Sequence, residues 1–238
     1  MTLSAPDPAV LDRLVLANRI LYGQGVVDGF GHVSVRHDRS SSHFLLARNM
    51  APGLVHREDM ITFDLDGQAL DAAERRVYLE RFIHAEIYRA RPDVQAVVHS
   101  HSPSVIPFGV TGKPLRPVFH MSGFLGEGAA LFEIRDIADD TDMLISSAAL
   151  GVALARTLGS RSAVLMRGHG STVVGTSLEQ AVYRAIYAEV NAKLQLQAVA
   201  LGEVTYLNAR EAAKAAAIND TQLPRVWDLW ARAVGPIE

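Results

Sequence analysis

The sequence predicts an α/β domain, and three observations carry that prediction. Short apolar runs with strand character, such as residues 94–101, are interleaved with longer segments whose apolar residues recur at helical spacing. At 238 residues and 49% hydrophobic content, the chain is long enough to bury one large core. No repeat, low-complexity stretch or linker interrupts it, so residues 1–238 read as a single domain.

The elements follow in order. Asp7-Pro8 supplies a helix cap and a first-turn proline, Leu11, Leu14, Val15 and Leu21 form the apolar stripe, and Gly23 and Gly25 end the helix. A glycine-rich turn, Asp28-Gly29-Phe30-Gly31, then runs into an alternating strand in which His32 and Ser34 share a face. His43 to Arg48 reads as the next strand, followed by a loop to Gly53, and Ile61 to Leu65 alternates as another before the Asp66-Gly67 turn. A helix ending near Arg91 and starting between Ala73 and Leu79 puts Glu80 and His84 four apart, hence on one face.

Val94 to His101 is a buried strand closed by Ser102-Pro103, because proline has no N–H to give a ladder. A turn-rich connection at 107–112 and a short strand at Pro117-Val118-Phe119-His120 follow. Ser146 to Leu158 forms an Ala-rich helix, and Ala163 to Met166 and Thr172 to Gly175 flank a glycine turn as strands. Ser177-Leu178-Glu179-Gln180 is a capping box opening the longest helix, to about Leu201, on which Tyr183 and Tyr187 are four apart. Asn208 caps a further helix, and Pro224 begins a last one whose Trp227 and Trp230 dock against the body or a second subunit.

Composition narrows the function. The net charge is only −3 and the basic residues are scattered, which argues against a nucleic-acid groove. There is no cysteine, so disulfides, thiolate metal sites and a cysteine nucleophile are excluded, and any metal must be held by nitrogen and oxygen. Neither a basic start followed by an apolar core segment nor an apolar stretch of ~20 residues occurs. The expectation is a cytoplasmic chain with no membrane partner.

The chemistry centres on His99-Ser100-His101. Alternate strand residues share a face, so the two imidazoles project together, about 6.6 Å apart along the strand, with Ser100 turned away. A third imidazole comes from Gly168-His169-Gly170, where flanking glycines allow a sharp turn. Three neutral imidazoles suit a divalent metal with a position left open for substrate. The helix carrying Glu80 feeds the histidine strand through Arg91-Pro92-Asp93, so the two run antiparallel and Glu80 comes within reach as a fourth ligand or a general acid/base.

These residues together, Glu80, His84, Arg91-Pro92-Asp93, Val97 to His101 and Gly168-His169-Gly170, resemble the class II aldolase/adducin family from about residue 10 to 200. The resemblance implies a three-layer α/β/α domain on a mostly antiparallel sheet, a homotetramer, and a small-molecule substrate. It makes His99, His101 and His169 the ligands of a divalent ion (Mn, Zn, Fe or Co) and Glu80 the acid/base.

Sugar-phosphate aldolases of the family hold phosphate with a Gly-Asn turn, a Thr-Ser-Gly loop and a Ser-Ser pair. Those places here read Gly31-His32, Ala47-Arg48-Asn49 and Tyr78-Leu79. The pattern instead resembles the branch that decarboxylates hydroxylated aromatic or pyridine dicarboxylates. In that reading Arg48 or Arg81 grips a second carboxylate, since a planar guanidinium suits one. His32 is the proton donor if Glu80 stays on the metal, and Ser34 and Tyr187 are candidates for substrate contact. An aldolase or epimerase acting on a sugar phosphate is the alternative. A metal-dependent oxygenase and a metal-free adducin-like interaction module are further ones.

Overall fold

The computed structural model describes residues 5–236. Seven strands form one sheet in the order β3-β2-β1-β4-β7-β6-β5. They are β1 (His32–Arg36), β2 (His43–Ala47), β3 (Met60–Asp64), β4 (Ala96–Ser100), β5 (Ala130–Phe132), β6 (Ala163–Met166) and β7 (Gly170–Gly175). Every pairing is antiparallel except β5 with β6. The mostly antiparallel α/β architecture expected from the sequence is therefore present.

Helices flank the sheet on both faces. α1 (Pro8–Gly23) and α5 (Leu178–Leu201) lie together on one face, α2 (Arg81–Ala90) and α4 (Ala148–Leu158) on the other. The alternation of β1 separates the two layers: Val33 is buried on one side, while Ser34 and Arg36 bond to Tyr88 of α2 on the other. Two Ser N-caps fix where α4 and α5 begin, Ser147 accepting from the Leu150 N–H and Ser177 from the Gln180 N–H. A short helix, α3 (Ile106–Val110), occupies the connection expected as turns. At the C-terminal end, α6 (Ala209–Asp220) starts on the Asn208–Glu211 capping box, and α7 (Leu223–Val234) buries Trp230 near Tyr187 of α5. Among the described residues no helix is long and apolar enough to cross a membrane.

Two local expectations are corrected. Residues 117–119 form no strand: Pro117 has no N–H, the Val118 N–H donates to Asn191 Oδ1, and Asn191 Nδ2 donates to the Arg116 carbonyl. Side chains of α5 thus satisfy this backbone in place of a ladder, and His120 opens a 3₁₀ turn to Leu125. The second correction is the start of α2, which is Arg81 and not a residue between 73 and 79. Arg75 donates to the carbonyls of Asp71, Ala72, Glu58 and Met60, and the Asn49 N–H takes the Arg76 carbonyl, so this approach is pinned as a loop against β3.

Candidate metal centre and cavity

The β4 strand delivers His99 fully buried, and His101 follows just past the strand end. Their Nε2 atoms converge to 3.3 Å. Beyond them, Ser102 Oγ and the Ser104 N–H both donate to Glu189 of α5, which anchors the chain where it leaves the strand. His169 sits on the tight turn between β6 and β7, with Gly168 at a left-handed φ of 64°. Its Nε2 lies 3.0 Å from that of His101. Glu80, immediately before α2, places Oε2 3.5 Å from Nε2 of both His99 and His169. The four ligand atoms all lie within 4.8 Å of one another.

This donor set fits a divalent cation. Ligands about 2.1 Å from a common centre stand about 3.0 Å apart in an octahedron and about 3.4 Å apart in a tetrahedron, close to the four separations of 3.0 to 3.5 Å given above. Three imidazoles and one carboxylate, all nitrogen and oxygen donors, suit the borderline ions of the first transition row. The ring orientations agree as well. His169 Nδ1 donates to the Met143 carbonyl at 2.9 Å, which leaves Nε2 as a lone pair facing the centre, and His99 Nδ1 lies 3.4 Å from Thr172 Oγ1.

One short segment holds two of the four groups. Met143 adopts φ +73°, a left-handed conformation that few side chains take, and so turns its carbonyl onto His169. Two residues later the Ile145 N–H donates to Glu80 Oε1 at 3.0 Å. No pattern in the sequence marks this strap, because its contacts are made by backbone atoms whose partners lie far along the chain.

Burial sets the charges. It pushes His99 down to about 3 even against the pull of Glu80, and lowers His101 and His32 as well. For Glu80 burial acts upward, but the neighbouring His99 and the hydrogen bond and charge of His169 outweigh it and hold the carboxyl well below its ordinary range. His169 is raised for the reciprocal reason, with Glu80 and the Met143 carbonyl overcoming its burial. The resting pair is therefore a Glu80 carboxylate facing His169.

A cavity of about 300 Å³ opens onto this cluster, with His32, Glu80 and His101 in its wall. Phe30, Met50, Leu79 and Leu144 supply apolar walls, and Asn49 and Tyr78 are its other polar side chains. No lysine or arginine lines it among the described residues. Arg48 is bonded to Asp59 at 2.6 Å, and Arg81 donates to the Gly67 and Tyr78 carbonyls while covering the Phe82 ring, so neither guanidinium turns into the cavity. Ser34 lies behind the wall, fully buried and bonded to His84 and Tyr88. Tyr187 packs on Phe119, Tyr183 and Trp230 away from it. His84, which the sequence shows four residues after Glu80 and among the residues that carry the family resemblance but with no role of its own, bonds to His32 at 2.6 Å.

With this geometry in hand, comparison with known proteins defines the class. Residues 12–196 match the Class II Aldolase and Adducin N-terminal domain family, and the chain belongs to it. It is 38% identical over 239 residues to the decarboxylase tropJ of Talaromyces stipitatus, covering 90% of each protein. It is 34% identical to the 3,4-dihydroxyphthalate decarboxylase of Arthrobacter keyseri, covering 80% of this chain and 79% of that one. Among solved structures, the L-fuculose 1-phosphate aldolase of Glaciozyma antarctica superposes with a TM-score of 0.78 at 27% identity, over 95% of this chain and 90% of that one. Within the family the chain thus falls in the decarboxylase branch.

Proposed function

We propose that this chain is a metal-dependent decarboxylase of a hydroxylated aromatic or pyridine carboxylate or dicarboxylate. The observation that carries the reading is the cavity: apolar walls that suit a planar ring, no lysine or arginine among the described lining residues to hold a phosphate, and Glu80 and His101 of the ligand cluster in its wall. Two relatives named decarboxylases, aligned over four-fifths or more of the chain, support it.

His99, His101 and His169 would hold the ion, which when bound supplies Lewis acidity to a ring hydroxyl and its neighbouring carboxylate. Glu80 rests as a carboxylate, so its first act is to accept the proton of the ring hydroxyl. As the carbon–carbon bond breaks and CO2 leaves, the bonding pair stays on the ring carbon. Glu80 returns its proton there, and water restores the proton of the hydroxyl. The Ile145 N–H on Oε1 keeps the other carboxylate oxygen aimed at the site throughout. His32 is the second proton donor to consider. Exposed Leu194, Val199 and Leu201 on α5, with Leu229 on α7, support self-association, in keeping with a homotetramer.

Cleavage of a sugar phosphate is the second reading, favoured by the likeness to the fuculose phosphate aldolase. The test is a panel of hydroxybenzoates, hydroxyphthalates and hydroxypyridine dicarboxylates assayed for CO2 release with Mn, Zn, Fe and Co in turn, beside L-fuculose 1-phosphate. Metal-dependent CO2 release from an aromatic acid is expected. Aldol cleavage without any CO2 release would overturn the reading.

A further inference from the structure

Behind the cavity wall a buried chain of polar side chains, Tyr88, Ser34 and His84, which the proposed reaction does not use, leads to His32. Tyr88 Oη lies 2.8 Å from Ser34 Oγ, Ser34 Oγ 2.6 Å from His84 Nδ1, and His84 Nε2 2.6 Å from His32 Nδ1. Ser34, His84 and Tyr88 are at most 1% exposed, so no solvent completes their hydrogen bonds. His32, at the outer end, is the member that reaches the cavity. Its ring packs against those of Tyr78, His84 and His99 at 4.6, 4.8 and 5.0 Å.

Every link in this chain has one proton to give, and the far end decides the direction. Burial keeps His84 neutral, pushed down to about 3, and pushes the Tyr88 phenol well up. At 2.8 Å, Ser34 Oγ is the acceptor within reach of the Tyr88 hydroxyl. Arg36 stacks over the same ring at 4.7 Å with its guanidinium on the carbonyls of Val94 and Tyr88, so it offers no acceptor. Tyr88 must therefore pass its own proton to Ser34, Ser34 passes its proton to His84 Nδ1, and His84 donates from Nε2 to His32 Nδ1. The opposite direction would have Tyr88 accept from Ser34 and leave its own O–H buried without a partner.

We infer that the Tyr88–Ser34–His84 chain fixes His32 with its proton on Nε2, and so presents His32 to the cavity as a hydrogen-bond donor for an anionic oxygen of the substrate. Ser34, His84 and Tyr88 are then positioning residues that act through His32. The inference rests on the decarboxylase reading only for what that oxygen is, a carboxylate or phenolate; the tautomer itself depends on the chain alone.

The experiment is ¹⁵N NMR of the full-length protein labelled at histidine, loaded with zinc, with the His32 signals identified by their loss in H32Q. The expected spectrum has His32 protonated at Nε2 and bare at Nδ1. S34A removes the relay and is expected to shift His32 toward the Nδ1-protonated form, with kcat/KM on the aromatic acid about tenfold lower and zinc content unchanged. S34T keeps the hydroxyl and is expected to restore both readouts. Y88F, which tests the same direction without touching His84, is expected to give a smaller shift of the same sign. A wild-type spectrum with His32 protonated at Nδ1, or a His32 tautomer unchanged in both S34A and Y88F, would overturn the inference. Absence of CO2 release from every acid would sink the decarboxylase reading and still leave the spectrum to decide the tautomer.

Discussion

Two groups of imidazoles share the paired ends of β1 and β4, and their chemistry diverges. Around His99, His101 and His169, nitrogens and the Glu80 carboxylate turn toward one point with no bridging protein atom between them. A few ångströms away, His32 and His84 point their nitrogens at each other and at Ser34, and the bonds close within the protein. What separates a cluster that could hold an ion from one that bonds to itself is therefore not residue type, burial or proximity. It is whether the lone pairs are left facing a common centre.

That contrast sets the order of expected effects. Removing a converging imidazole should be most severe: H169A is expected to lose its bound ion by elemental analysis and to lower activity by more than about a thousandfold. Next is E80Q, which keeps a polar side chain in place but cannot cycle a proton; turnover should fall about 10² to 10⁴-fold with metal content near normal. An active E80Q enzyme would remove Glu80 from the proton path. The Met143 strap ranks third. M143P forbids the left-handed φ and should weaken metal affinity about 10 to 100-fold in a competition titration, whereas M143G should stay near wild type.

The closed chain should also respond to acid, as the buried His99 does. His84 is held to about 3 in the fold against an ordinary value near 6.5. Between those two values the unfolded chain binds a proton that the folded one refuses, so stability is fully present above about pH 6.5 and falls as pH drops through the window, by up to about 1.4 kcal/mol per unit. H84F should remove the His84 share of that slope in thermal melts across pH, leaving the share of His99. Smallest of all on catalysis are R48A and R81A. With both guanidinium groups occupied outside the cavity, KM for the aromatic acid should move by less than about twofold, while loss of Arg48, half-exposed itself but paired with the buried Asp59, should cost about 1–3 kcal/mol of stability. A large rise in KM for either variant would restore its carboxylate-gripping role.

Much of this was legible in the sequence where side-chain period and residue type suffice. The alternation of His99 and His101, the Gly-His-Gly turn and the Ser177 cap of α5 each encode their local geometry directly. Glu80 was legible through the short Arg91-Pro92-Asp93 link, which forces α2 to fold back on β4. What escaped was set by partners distant in sequence. The extended run at 117–119 looks like a strand until Asn191 claims its backbone, and β5 is too short for alternation to register. Arg48 reads as a free cation until Asp59 is seen beside it, and nothing about Met143 foretells a backbone carbonyl aimed at His169.

The turn that carries His169 has one more consequence. Any carbon attached at Gly170 would overlap the carbonyl oxygen of Ser100 and press on the His101 ring. The two stretches that supply the nitrogens touch at that spot with nothing but hydrogen between them, so a missing side chain acts as the spacer of the whole coordination cage. Even the smallest replacement there would force the turn and the end of β4 apart, and the third imidazole with them away from the other two.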